Sequence, residues 1–408
     1  MHAGRRSSFL YILRSSAIAG AVALCTGCGS TVVGTPQPGI TTVDVTKLRA
    51  GPFQTEPAPF KLNTGVDEPD SVRLIEARRL LNYLIQPSDI DPDVHYPGTT
   101  AVFATHVGIP VSAGILNEHK SVIKDNVKFI AGAASVRDNG SVRNPKEISV
   151  AILQFESEPE SDRAAAELNK ISMASGERDS IEIPGNPGTY SSTLGNSQID
   201  TWQKHGPYVV LVSVKEQAGD IDGLTSEVDA ALNVQNQALD SQHSIPLDDV
   251  LDTPLDPDNI VRRTMDRDNR DTIISTDDFG VYLPAGILHF QRNPVDAKNE
   301  FDKSGVDLVG RRASTVFRTR DVEGAFNLQT FLSRKGKDDT ALDPPPGIAD
   351  AQCVRFDSID DNEDNALCAV VHGRYVAVIS GKSTGFTHLD SGLQERTAAQ
   401  YIILEKCE

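Results

Sequence analysis

The chain has 408 residues and a formal net charge of −18, an acidic balance that repels phosphate backbones and argues against a nucleic-acid partner. It argues equally against a polybasic contact with anionic headgroups. The 39% apolar content suits packed cores, and the length admits two domains of ordinary size.

The first 27 residues carry the zones of a secretory signal. Arg5, Arg6 and Arg14 open the chain without an acidic residue, and an apolar run follows at 17–24. That run is far shorter than the roughly 18–20 residues a bilayer span needs. It ends in Cys25-Thr26-Gly27-Cys28, which resembles the lipobox of bacterial lipoproteins, with Cys25 where leucine is usual. The resemblance implies cleavage before Cys28, acylation of that cysteine and a chain held by lipid at the outer face of the cytoplasmic membrane. Arg5-Arg6 with Phe9-Leu10 lies one residue off a twin-arginine spacing, so the export route stays open. An ordinary signal peptide with Cys28 free or paired is the alternative. Cleavage leaves 381 residues and, with three arginines gone, a net charge of −21.

Residues 28–41 are small and uncharged and read as a flexible tether. A first domain is expected over 42–243. Within it the spacing of Val72, Ile75, Leu80, Leu81 and Leu84 predicts a helix over 69–86. Buried strands are predicted at 148–155 and 208–213, with helices following at 161–172 and 224–239. Three prolines and five aspartates at 244–259 mark a linker, and a second domain is expected over 260–408.

The second half repeats the first. HGPYVVLVS (205–213) and HGRYVAVIS (372–380) lie 167 residues apart, and Ala230-Ala231 matches Ala398-Ala399 at an offset of 168. Pro184-Gly185 pairs with Pro346-Gly347, and Ala113-Gly114-Ile115-Leu116 recurs at 285–288. The expected fold is therefore two similar tandem α+β domains, each with a hairpin turning at His-Gly before its last helix. His205 and His372 are read as turn residues rather than a metal or base pair, since histidine tolerates left-handed backbone better than most residues.

The runs VDVTKLRAGPFQTEP (43–57), EARRLLNYLI (76–85), DIDPDVHYPG (89–98), LDPDNIVRRT (255–264) and PGIADAQC (346–353), with HGRYVAVI and AAQY (398–401), resemble an actinobacterial family of two-domain envelope lipoproteins. The likeness covers nearly the whole mature chain. It implies a lipid-anchored α+β protein of unassigned function and offers no catalytic, cofactor-binding or metal-ligating residue to carry over.

Cys353, Cys368 and Cys407 remain after Cys25 leaves and Cys28 is acylated. In an oxidising compartment three cysteines permit three single bridges. Cys353–Cys368 is favoured for its short loop and for the terminal position of Cys407, and none of the three has zinc-site spacing.

Several motifs imitate chemistry. GKSTG (381–385) fits a nucleophile elbow at Ser383, yet three residues precede the next predicted helix and too little chain follows for a triad. It also lacks the upstream glycine of a phosphate loop, where Val376 stands. Asp89-Asp91-Asp93 has Val94 and Thr100 where a calcium loop needs glycine and glutamate. Asp266-Asp268-Asp271 and Asp360-Asp361-Glu363-Asp364 lack such glycines too. Trp202 is read as hairpin packing, and Arg262, Arg263, Arg267 and Arg270 as offsetting nearby aspartates. The expectation is a non-enzymatic binding module without cofactor, metal or nucleotide, whose ligand is an envelope lipid, glycan or protein. The alternatives are an envelope hydrolase using Ser383 or an unassigned carboxylate pair, and an accessory subunit of a membrane transport or signalling assembly.

Overall fold

The computed structural model describes residues 41–61, 70–111, 114–126, 128–217, 219–242, 247–267, 278–357, 365–382 and 390–407. Residues from 38 onward belong to one compact unit. The first half contains helices α1 (Asp70–Leu81), α2 (Pro87–Ile90), α3 (His119–Asp125), α4 (Glu158–Ala174) and α5 (Ile221–Asp240). Its strands are β1 (Tyr96–Phe103), β2 (Phe129–Asp138), β3 (Lys146–Phe155), β4 (Asp179–Ser180), β5 (Tyr190–Leu194), β6 (Gln198–His205) and β7 (Tyr208–Glu216). They form one antiparallel sheet in the order β1-β2-β3-β7-β6-β5-β4.

The central strands β2, β3 and β7 are apolar along most of their length because helices cover both faces. Ala151, Leu153, Val209, Leu211 and Trp202 meet Ala164, Ala165 and Leu168 of α4 on one side. Ile148, Val150, Ile152, Val210 and Val212 meet Leu80 and Leu81 of α1 and Val228 and Leu232 of α5 on the other. The α5 stripe includes buried Gln235, whose amide nitrogen donates to Tyr83 O (2.9 Å) and whose oxygen accepts from Ile85 N (3.1 Å). Those bonds fix the chain that leaves α1. The predicted helix over 69–86 ends early, at Leu81, because tight turns (Asn82 N to Arg79 O, Tyr83 N to Leu80 O) divert the backbone there.

The second half carries β8 (Gly280–Tyr282), α6 (Pro284–Ile287), α7 (Pro294–Ser304), β9 (Leu308–Arg311), β10 (Thr315–Arg318), α8 (Val322–Leu332), β11 (Thr340–Leu342), β12 (Gln352–Arg355), β13 (Ala366–His372), β14 (Tyr375–Gly381) and α9 (Ser391–Glu405). Its sheet runs β8-β9-β10-β14-β13-β12-β11, the same order as the first with each strand in the same place. The helices match as well: α7 answers α3, α8 answers α4, and α9 answers α5. Aspartates cap three of the helices, with Asp220, Asp321 and Asp390 accepting from the backbone N–H of Asp222, Gly324 and Gly392. Two tandem α+β domains of one topology result.

The hairpins fall where the repeated motif puts them, joining β6 to β7 and β13 to β14. The left-handed residues, however, are Gly206 (φ 56°) and Gly373 (φ 55°), not the histidines. Each glycine is the first of two loop residues, as in a type II′ turn. His205 and His372 end their strands, opposite Tyr208 and Tyr375. Each imidazole Nε2 meets a carboxylate in the last turn of the domain's final helix, Asp240 at 2.8 Å and Glu405 at 2.7 Å.

The domains share one apolar cluster, in which Leu80, Leu84 and Val94 join Tyr282, Leu288, Phe301, Phe317 and Leu328. At its edge Arg137 of β2, 1% exposed, donates to the carbonyls of His95 (2.9 Å), His289 (2.9 Å) and Gln291 (2.8 Å). Burial holds its guanidinium down to about 10. Buried His289 reaches back to Leu84 O at 3.0 Å. Residues 41–60 run as a strap across the second domain. Val43, Val45, Leu48 and Phe60 pack on the sheet core under α9, and Ala50 and Phe53 lie beside Met265 and Ile403.

Candidate functional site

In the second domain, the face bearing α8 is packed at its α8 end into the cluster shared with the first domain, while Ser380 at the other end is exposed. The corresponding face of the first domain, bearing α3 and α4, points outward. α4 covers only one end of it, over Trp202 and Leu211. Toward the other end, two rows of side chains cross the strands.

The inner row is buried. Ser149, Ser213, Asp200 and Ser192 are direct cross-strand neighbours, and all lie under 4% exposure. Ser213 Oγ donates to Asp200 Oδ1 (2.6 Å), and Gln198 Nε2 donates to the same oxygen (2.9 Å). Arg178 Nη2 lies 2.6 Å from Asp200 Oδ2, and its Nη1 donates to Ser192 Oγ (3.2 Å). Gly114 roofs this row in left-handed backbone (φ 78°), and a Cβ there would lie 2.6 Å from Ser213 Cβ. Only glycine lets the loop sit so low.

The outer row is open except at Gln198, which is buried. Tyr96, Asp138, Glu147, Lys215, Gln198 and Leu194 succeed one another across six strands. Strands lie about 4.8 Å apart, so the row is ~24 Å long. Beside it opens a cavity of ≈ 550 Å³ lined by residues that include Asp138, Ser141, Glu147, Lys215 and Gln217. A second concavity of ≈ 640 Å³ lies past the β5–β6 turn, lined by Arg178, Asp179, Leu194 and Gly195 among others. The β2–β3 turn that forms the rim is held by Asn139, whose oxygen accepts from Ser141 N and Lys146 N (both 3.1 Å). Tyr96 lies against Gly140 and stacks on His95 at 4.8 Å. Lys146 faces away, bound to Asp91 (2.6 Å) and Glu227 (2.7 Å). Burial opposes its charge, and those carboxylates outweigh burial and raise its pKa. The row thus offers acceptors, an ammonium donor and an aromatic ring on a rigid floor.

The residues singled out from sequence are scattered. Cys353 and Cys368 are joined by a disulfide across the directly paired positions of β12 and β13. Cys407 is free and half-buried among Phe53, Met265 and Ile403 rather than frayed, and burial raises its thiol pKa. Trp202 is core, its Nε1 donating to Ser172 Oγ (3.1 Å). Asp89 and Asp91 cap Gln86 N and Asp93 N. Arg263 donates to Cys407 O and lies over the Tyr375 ring at 4.3 Å. No group of three or more His, Cys, Asp or Glu placed to hold a metal occurs among the described residues. No helix among them is long and apolar enough to cross a membrane. Cys28, Ser383, Arg270, Asp268, Asp271 and the 360–364 cluster lie outside the described residues. Sequence reasoning missed the outer row. Its trace is the alternation Lys-Glu-Ile-Ser-Val and Val-Ser-Val-Lys-Glu at strand ends, which marks one half-open face.

Two family models match in tandem. The N-terminal domain of unknown function (DUF7373) matches residues 64–255, and its C-terminal partner matches residues 260–406. The chain belongs to the DUF7373 family. In this member the two matched regions meet at 255–260, within the aspartate-rich stretch between the sheets. The curated proteins include no match to this DUF7373 chain. Among solved structures, it is similar to the extracellular domain of PknH from Mycobacterium tuberculosis, at 10% identity and a TM-score of 0.29, over 40% of this chain and 96% of that one.

Proposed function

We propose that this chain is an exported, lipid-anchored envelope protein that binds rather than catalyses, using the outward face of its first domain. One observation carries the reading: toward the far end of this face the first domain sets the Asp200–Arg178 pair and a row of polar side chains beside a cavity, where the second domain has Leu367 and Val354. After duplication, the part of the face that is charged in one copy and apolar in the other is where the two have parted in use. Export is supported by the arginine-led signal and by Thr26-Gly27-Cys28, with acylation at Cys28 as in the actinobacterial lipoproteins the sequence resembles. The Cys353–Cys368 disulfide suits an oxidising compartment.

Four measurements test this. Mass spectrometry of the native N-terminus should find acyl mass on Cys28, and Cys28→Ser should release the chain from membranes; an unmodified wild-type Cys28 ends the anchor. The Cys28→Ser chain should be retained on isolated cell envelopes, and Glu147→Arg with Lys215→Glu should lower retention at least tenfold. Retention unchanged by those substitutions removes the site. A fluorophosphonate probe that labels Ser383 stoichiometrically would replace binding with hydrolysis.

A further inference from the structure

We propose that the outer row is a saccharide site that takes a linear, neutral glycan laid across the six strands, an inference that rests on the binding reading above. The shape comes first. A trough ~24 Å long, widening into the ≈ 550 Å³ cavity, fits an extended ligand better than a compact one. Its chemistry then narrows the class. Sugar hydroxyls both donate and accept, so they need alternating partners at short intervals. Asp138 and Glu147 accept, Lys215 donates, and Ser141 and Gln217 do both.

Tyr96 supplies the other half of sugar recognition. Its ring is 50% exposed at the end of the row and fixed from below, since a Cβ on Gly140 would lie 2.8 Å from it. A rigid aromatic surface with a polar tip can stack on the C–H face of a pyranose while bonding a hydroxyl. Other ligand classes fit poorly. Phosphate esters meet the carboxylates of Asp138, Glu147 and Glu216, lipid tails meet the charges of Asp138, Glu147 and Lys215 set side by side, and extended peptides add to strand edges rather than across strand faces. The floor is stiff, with Asp138 Oδ1 accepting from Gly140 N and Asn139 Nδ2 donating to Asn144 O. Little ordering is then left to oppose a weak ligand.

The test uses the full mature chain carrying Cys28→Ser, titrated by calorimetry with chitotetraose, α-mannotetraose, and arabinan and galactan tetrasaccharides. At least one should bind, and Tyr96→Ala and Glu147→Gln should each weaken it tenfold or more with an unchanged melting temperature. Arg320→Ala, on the second domain, should bind like wild type. No binding by any of the four, with envelope retention still sensitive to Glu147 and Lys215, overturns the saccharide assignment and spares the binding reading. Loss of both sinks both. Row-dependent binding of inorganic phosphate or of phosphatidylglycerol vesicles in place of the sugars also overturns it, and so does hydrolysis of a bound glycan that Glu147→Gln abolishes.

Discussion

Asp200 and Arg178 form an ion pair whose side chains are 3% and 6% exposed. Such a pair offsets a large desolvation cost with its geometry, so removing one partner strands a buried charge. Asp200→Ala should therefore cost about 3–5 kcal/mol in urea unfolding. The second domain shows how the site can be rebuilt, because Leu367 and Val354 hold the places of Asp200 and Ser192 beside Ser380. The double variant Asp200→Leu, Arg178→Met should then be more stable than Asp200→Ala alone. If the double variant were the weaker of the two, the pair would be contributing net stability rather than specificity.

Two imidazoles set the response to acid. His119 Nδ1 accepts from Leu116 N, so its Nε2 carries the proton and donates to Leu168 O and Ser172 Oγ. Burial brings its pKa down to about 4, and burial brings that of His289 down to about 3. Unfolded histidine titrates near 6.5, so between these values the unfolded chain binds more protons than the folded one. Their contribution is intact above pH ~6.5, and it is lost as the pH falls toward 4 for His119 and toward 3 for His289. Melting temperature should fall steadily from about pH 6.5 to pH 4; a flat profile over that window would mean that neither ring is buried neutral.

At the scale of elements, the disulfide closes a separation of 15 residues between two edgeward strands. Reducing it, or replacing both cysteines with serine, should cost about 3 kcal/mol, read as a lower urea midpoint. A midpoint unmoved by reductant would show that strand pairing already confines that loop in the unfolded chain. The legibility of the elements follows their physics. β3 and β7 are readable as long apolar runs, α4 and α5 as the helices that follow them, and the paired hairpins from the repeated His-Gly motif, although the left-handed position falls on the glycine. β4, β8 and β11 have two or three residues each, too few for any period, and they owe their pairing to neighbours. The site is illegible for a related reason: Tyr96, Asp138, Glu147 and Lys215 are distant in sequence and meet only through register.

For the whole molecule, a single apolar cluster spanning both sheets implies that the domains melt together. Calorimetry should show one transition for the wild type. Arg137→Ala leaves the carbonyls of His95 and Gln291 without that donor, while His289 O keeps Thr100 Oγ1 (2.7 Å), at about 1–3 kcal/mol for each buried acceptor left bare. The variant should melt earlier, and two resolved transitions would locate the weak point at this joint. A variant melting like wild type would show that water replaces the guanidinium.

If the chain is anchored as proposed, the strap decides where a pull on its N-terminal side is felt. Thr41 N donates to Asp350 Oδ2, Leu48 fills the space above Gly347, Ala58 O accepts from Arg312, and Glu56 pairs with Lys406. Tension entering at residue 41 is taken up along the second domain, where these contacts must slide together before any one yields. The first domain lies off that load path. If the chain binds and is anchored as proposed, its outer row would keep its shape while the strap takes the load, and the two copies of the fold would divide mechanical duty from recognition.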